Sequence, residues 1–172
     1  ASSSSVAENG GTSTLTATQN VVTASNTTVN LNTSGNATLN ADYSISSSTI
    51  TISAGSTSGT ATLTAITDQL DDDGEAIVVD ISSVSGANSV AENGTQQTTV
   101  TITDDDNASF TVTQTSGSTI VDESGSADNF TVVLGSQPTG NVVFSLGASD
   151  SSEVSISPST LTFTSSNWNN AQ

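Results

Sequence analysis

The sequence contains no lysine, arginine or histidine and no cysteine, while 17 of its 172 residues are aspartate or glutamate. Every charged side chain is therefore negative, no side-chain salt bridge can form, and the carboxylates must find a cationic partner outside the chain. Nucleic acids and anionic membranes are recognised through lysine and arginine, so an all-acidic surface repels both. Without cysteine, neither disulfides nor thiol chemistry is available, and small domains need another staple such as a bound metal. Without His, Lys or Cys, the general bases and nucleophiles of most enzymes are missing too. Paired carboxylates serve glycosidases, but that chemistry needs a substrate cleft, which the loops of a small sandwich seldom supply. The expected reading is not an enzyme. No apolar run approaches the 18 or so residues of a membrane span, and Ala1 to Ser5 is not a signal peptide, as expected of a processed protein or a piece of a longer one.

Leu, Ile, Val and Phe number 8, 9, 16 and 4, a little over a fifth of the chain, close to the boundary below which highly charged chains stay disordered. Their arrangement argues for folding. They alternate with Thr and Ser at a period of two in short segments separated by Gly, Asn, Ser or Asp, and no stretch has helical periodicity. The predicted strands are 12–18, 27–31, 48–53, 60–67, 75–84 and 96–103, then 109–114, 129–134, 141–146, 154–157 and 161–164. This pattern predicts an all-β fold of tandem immunoglobulin-like antiparallel β-sandwiches, the first over residues 1–106 and the second, incomplete, over 107–172.

The hexapeptide Ser-Val-Ala-Glu-Asn-Gly occurs at 5–10 and again at 89–94. The second copy lies between two strands of one module and reads as a hairpin loop, with Asn93-Gly94 suited to positive φ. A better counterpart of the first copy is Val121-Asp122-Glu123-Ser124-Gly125, which places Val6 and Val121 115 residues apart, a period suited to an immunoglobulin-sized module. On this register the first module lacks most of a first strand and the second lacks its last ones. Two expectations follow: a piece cut from a longer chain, or strands supplied by a neighbouring copy to give a homopolymeric filament.

Asp68, Asp71, Asp72, Asp73 and Glu75 crowd one loop, and Asp104, Asp105 and Asp106 follow the last strand of the first module. Hairpin connections between 60–67, 75–84 and 96–103 bring both places to the same end. Like charges so close raise each other's pKa or demand a cation. Oxygen-only donors suit calcium, which takes six to eight such ligands, and disfavour zinc and copper; magnesium prefers to keep its waters. The competing view is a solvated acidic surface.

The stretch from Ala41-Asp42-Tyr43 through Leu70-Asp71-Asp72-Asp73-Gly74-Glu75 to Thr103-Asp104-Asp105-Asp106 resembles the Calx-β domain, the calcium-binding module of sodium/calcium exchangers and of many large bacterial surface proteins. The resemblance covers roughly residues 5–106. It implies more than one calcium ion, held by Glu8, Asp42, Asp68, Asp71, Asp72, Asp73, Glu75, Asp104, Asp105 and Asp106. The family loop commonly reads Leu-x-Glu-Gly-x-Glu, whereas here glycine comes one place later with an additional acid. Residues 107–172 resemble companion repeats of bacterial extracellular proteins more distantly, through 121–125 and Leu161-Thr162-Phe163 leading to Asn167-Trp168. Asp122, Glu123, Asp128, Asp150 and Glu153 read as solvated, and Trp168 as a cap on a core edge.

The function this implies is a calcium-dependent structural module of an extracellular or cell-surface stalk, adhesin or fibre. Only Asn107 and Ala108 separate Asp106 from the next predicted strand, so an ion at the tip would stiffen the junction. The expected partners are neighbouring repeats or other copies of the protein. A calcium-dependent carbohydrate-binding module touching a surface glycan is the rival reading, disfavoured by the scarcity of aromatics, and a calcium sensor is a third.

Overall fold

The computed structural model describes residues 1–86 and 90–172, and its chain falls into two compact units, one of residues 1–68 and 72–105, the other of 69–71 and 106–172. The first unit carries strands β1 (Ser5–Ala7), β2 (Thr12–Thr18), β3 (Thr27–Gly35), β4 (Tyr43–Ile45), β5 (Thr49–Ile52), β6 (Ser58–Ala65), β7 (Ala76–Ser85) and β8 (Gln97–Thr103). They form a five-stranded sheet of order β1-β8-β7-β3-β5 and a three-stranded sheet of order β2-β6-β4. Neighbours run antiparallel except β1, which lies parallel to β8 with Ser5 opposite Thr101.

The alternation of the sequence becomes the two faces of each sheet. In β6, Ala61, Leu63 and Ala65 are buried while Thr60, Thr62 and Thr64 lie on the other face, opposite Thr16, Thr14 and Thr12 of β2. The inward residues of both sheets form one core that includes Leu15, Ile50, Leu63, Ile77 and Val100. Burying each such side chain contributes about 1.5–3 kcal/mol. Ser13 occupies an inward position with its hydroxyl satisfied, donating to the Ser3 carbonyl at 2.8 Å and accepting from the Ser3 amide at 3.1 Å.

β2 has the predicted bounds, whereas β3 runs four residues past the predicted Leu31. Those four are polar or glycine, yet β7 pairs with them. Gly35 ends the strand with φ of +115°, and a Cβ there would sit 2.1 Å from the Ala76 carbonyl oxygen. No other residue fits that approach. β1 and β4, with three residues each, are too short for a period to register.

The second unit has β9 (Phe110–Gln114), a 3-10 turn (Thr115–Gly117), β10 (Phe130–Leu134), β11 (Val142–Ser145) and β12 (Thr160–Phe163). β9 pairs with β10 and β11 with β12. Gln172 exchanges two backbone hydrogen bonds with Val132, at 2.8 and 2.9 Å, on the side of β10 away from β9. Val132, Leu161 and Phe163 make the core, with Phe144 edge-on to Phe163 at 5.8 Å between ring centroids.

One predicted strand is corrected. Residues 154–157 adopt no strand conformation and form no ladder among the described residues. Two apolar residues, Val154 and Ile156, are too few to drive the segment onto a sheet, and Pro158 has no N–H to extend a ladder.

The ladders bear on the repeat period. Thr27–Asn30 pair with Ile52–Thr49 in the first unit, and Val142–Ser145 pair with Phe163–Thr160 in the second. The two leading residues, 27 and 142, are separated by the same 115 positions as Val6 and Val121. The literal hexapeptide copies have different settings. The first supplies β1 and a tight turn in which the Gly11 amide donates to the Ala7 carbonyl at 2.9 Å, with Gly10 at φ +88°. In the second, Gly94 has φ +75° and the Gln96 amide donates to a Glu92 carboxylate oxygen at 2.6 Å; Ser89 lies outside the described residues.

Candidate metal centre

Three connections converge at one end of the first unit: the turn after β1, the turn before β4 and the acidic loop before β7, together with the chain leaving β8. Glu8 follows β1, and its amide donates to the Thr103 carbonyl at 2.9 Å, which pins it beside the end of β8. Asp42 sits in a turn closed by the Asp42 amide donating to Thr38 O at 2.9 Å, while its carboxylate accepts from the Thr38 amide. Tyr43, 2% exposed, anchors that turn in the core, so the Asp-Tyr pair places one residue in the sandwich and the other at its tip.

The acidic loop is held by Asn36. Its Nδ2 donates to Gly74 O at 3.1 Å, and its Oδ1 accepts from the Ala76 amide at 2.8 Å. Gly74 takes φ of +93°, the backbone turn that brings Asp72 and Glu75 to the same side. Asn36 is a positioning residue that the sequence by itself did not single out. The signal was its place directly after Gly35 at a strand end.

Two groups of carboxylates result. Asp42, Asp72 and Glu75 each offer an oxygen within 4.8 Å of the others, all half-buried. Glu8 and Asp104 likewise lie within 4.8 Å. Glu8 is only 5% exposed; its Oε1 accepts from the Asp68 amide at 2.6 Å, and its Oε2 is buried with no hydrogen-bond partner among the described residues. The Asp72 amide donates to Asp104 Oδ2 at 3.0 Å, which ties the two groups together. Of the other predicted ligands, Asp73 and Asp105 are exposed at the same tip, and Asp68 is half-buried beside Glu8. Asp71 belongs to the second unit, where its carboxylate accepts from the Ala108 amide at 2.6 Å, and Asp106 opens the main segment of that unit.

Electrostatics point the same way. Burial pushes the Glu75 carboxyl up to about 7, helped by its hydrogen bond with Asp42 and by the charges of Asp42, Asp72 and Asp68. Burial also raises Glu8, opposed by the Asp68 amide and reinforced by the neighbouring Asp104 and Asp68 carboxylates. A buried unpartnered carboxylate oxygen costs free energy that a coordinated cation removes. The residues present fit an oxygen-coordinated divalent cation, and the donor set, which lacks nitrogen and sulfur, suits calcium.

The pH dependence follows from these shifts. A raised carboxyl in the folded state favours folding at low pH, and that contribution is lost as pH rises from about 4.5 through about 7. In chelator, the melting temperature is expected to fall between pH 5.5 and pH 8. Saturating calcium, which binds the deprotonated oxygens, should flatten or invert the slope. Parallel slopes with and without calcium would mean that Glu75 is not at the cation site.

Comparison with curated proteins gives no match. Among solved structures, the chain is similar to the calcium binding domain CBD12 of CALX1.1, with 19% identity and a TM-score of 0.49 over 62% of this chain and 43% of that one. It is also similar to CBD12 from CALX1.2, with 17% identity and a TM-score of 0.49 over 94% of this chain and 68% of that one. The chain thus spans less than half the length of the first of these structures. The family model of the Calx-beta domain matches residues 1–106. With most of its length covered by that match, the chain belongs to the Calx-beta domain family.

Proposed function

We propose that the chain is a calcium-binding structural module of an extracellular or cell-surface protein, in which the metal stiffens the tip of the first sandwich. The observation that carries this reading is the buried Glu8 Oε2, without a partner, beside the Asp104 carboxylate. Glu8 and Asp104 would hold one ion and Asp42, Asp72 and Glu75 another, with backbone carbonyls and water completing each shell. Bound calcium supplies the positive charge that this sequence nowhere carries as a side chain.

The finer reading, a stalk, adhesin or fibre stiffened between repeats, draws on the sequence. Only Asn107 and Ala108 stand between Asp106 and Ser109, too few to act as a flexible linker. No helix among the described residues is long and apolar enough to cross a membrane.

Titration calorimetry with calcium, and magnesium as control, tests the proposal. Calcium-specific heat is expected with dissociation constants at or below the millimolar level of extracellular modules. Absence of binding at several millimolar calcium, or equal binding of magnesium, would overturn it.

A further inference from the structure

The dipeptide Asn-Gly occurs twice, at Asn9-Gly10 and Asn93-Gly94, each time preceded by Ser-Val-Ala-Glu. Such a pair is open to a reaction that needs only water: attack of the glycine amide nitrogen on the asparagine side-chain carbonyl carbon, which a residue without Cβ hinders least. Local sequence cannot tell the two copies apart. Their backbone settings do.

In the first copy the attacking nitrogen is engaged. The Gly10 amide donates to the Glu8 carbonyl at 2.6 Å, closing a three-residue turn centred on Asn9. Bonds tie that turn down on both sides: the Glu8 amide donates to Thr103 O of β8, the Gly11 amide to Ala7 O, and the Ala65 amide of β6 to Gly11 O, each at 2.9 Å. There is no slack either, since a Cβ on Gly11 would lie 2.5 Å from the Ala7 carbonyl oxygen. The Asn9 side chain can reach a free Gly10 nitrogen only when the turn opens.

In the second copy the bonds hold the flanks and leave the reacting atoms alone. The Gln96 amide donates to Glu92 Oε1 at 2.6 Å, and Gln96 Nε2 donates to Asn93 O at 3.2 Å. Among the described residues nothing accepts from the Gly94 amide and nothing bonds the Asn93 side chain. Both residues are exposed, and a Cβ added at Gly94 would meet no atom within 4 Å, so a ring has room to close between neighbours already in reach of each other.

We propose that Asn93-Gly94 is a site of spontaneous deamidation and that the fold protects the identical Asn9-Gly10. The Gly94 nitrogen loses its proton to hydroxide and bonds to Asn93 Cγ; the Cγ–Nδ2 bond breaks, and Nδ2 leaves as ammonia with a proton from water. Water then opens the cyclic imide. Addition at Cγ gives an aspartyl residue, and addition at the main-chain carbonyl carbon gives an isoaspartyl link in which the chain runs through Cγ. Either way an amide and water become a carboxylate and ammonium, with nothing oxidised or reduced. The product sets a further negative charge beside Glu92 in a chain of net charge −17. In the first copy the same change would fall next to Glu8, the buried carboxylate of the candidate metal centre, so the bonded turn also keeps that centre from it.

The test incubates the whole chain at pH 8, both natively and in urea, and then digests it after glutamate at mildly acidic pH. Asn9 and Asn93 then begin separate fragments, whose masses report amide loss. In the native chain Asn93 is expected to lose its amide at least about tenfold faster than Asn9, which reacts only through local opening. In urea the two rates should converge. Gly94→Ala should slow the reaction at Asn93 and leave Asn9 unchanged, and the urea comparison keeps the test decisive should that variant fail to fold. Equal native rates, a faster reaction at Asn9, or an undiminished rate in Gly94→Ala would overturn the proposal. So would a native ratio that persists in urea, which would trace the difference to the following residues, Gly11 and Thr95, rather than to the fold.

Discussion

Calcium added to the chelated chain is expected to raise the melting temperature of the first unit by about 10–20 °C for each carboxylate group it fills. A ligand at a hundredfold excess over its dissociation constant adds about 2.7 kcal/mol, and in a domain of 60–100 residues each kcal/mol moves the midpoint by about 4–8 °C. That stabilisation is a large fraction of the margin of a small domain. Two substitutions separate the groups. Asp72→Asn should remove the rise due to Asp42, Asp72 and Glu75. Glu8→Gln keeps an oxygen to accept from the Asp68 amide and replaces the unpartnered Oε2 with an amide able to donate to Asp104. This variant should lose its calcium response at that group while melting about 4–8 °C higher than the parent in chelator, since roughly 1 kcal/mol of repulsion and desolvation is relieved. Superimposable melting curves with calcium and chelator would sink the metal assignment. A Glu8→Gln chain less stable than the parent in chelator would show that Glu8 is structural without metal.

Phe163→Ala is expected to unfold the second unit while leaving the first intact. Phe163 is fully buried, touches Phe144 edge-on, and is one of only three buried residues in the core cluster of that unit. Truncating such a ring costs about 3–5 kcal/mol, comparable with the whole stability of a small domain. Trp168, the single tryptophan, lies in this unit, where its carbonyl accepts from the Leu134 amide at 3.1 Å, so its emission reports the loss directly. A red-shifted emission at 25 °C with unchanged calcium-dependent melting of the first unit is the expected result. Unchanged emission and melting would mean that the Leu161 and Val132 side of the cluster suffices. Phe163→Leu, which keeps most of the volume, should fall between the two.

Much of the fold was legible because its signal is local. In β2, Thr-Ser-Thr-Leu-Thr-Ala-Thr alternates, and the strand has the predicted bounds. The Thr-Leu-Thr-Phe run of β12 alternates in the same way, whereas β11 is marked by the short apolar run Val142-Val143-Phe144. What escaped was either too short or not apolar: β1 and β4 with three residues each, and residues 32–35, which belong to β3 through their pairing with β7 rather than through any pattern of their own. Residues 154–157 failed in the opposite direction, an alternating scrap with no neighbour to pair with.

The literal repeat shows the same limit at the candidate site. Glu8 and Glu92 occupy identical hexapeptides. Glu8 is buried against Asp68 and Asp104 because β1 lies parallel to β8, whereas Glu92 caps the Gln96 amide in its own loop. Asn36, which clamps the acidic loop, looked like any other Asn in a chain rich in Asn, Ser and Thr.

By itself the sequence determined the class of structure and the class of partner. Period-two alternation admits only half-buried strands, and a chain with 17 carboxylates and no basic side chain can be neutralised only from outside. The tertiary structure decided which carboxylates meet. Ser5 pairs with Thr101 and the Asp68 amide reaches Glu8, contacts between residues far apart in sequence. They arise from strand order and register, and no local propensity encodes them. The same long-range pairing groups Asp42 with Asp72 and Glu75, and leaves Asp73 and Asp105 in solvent.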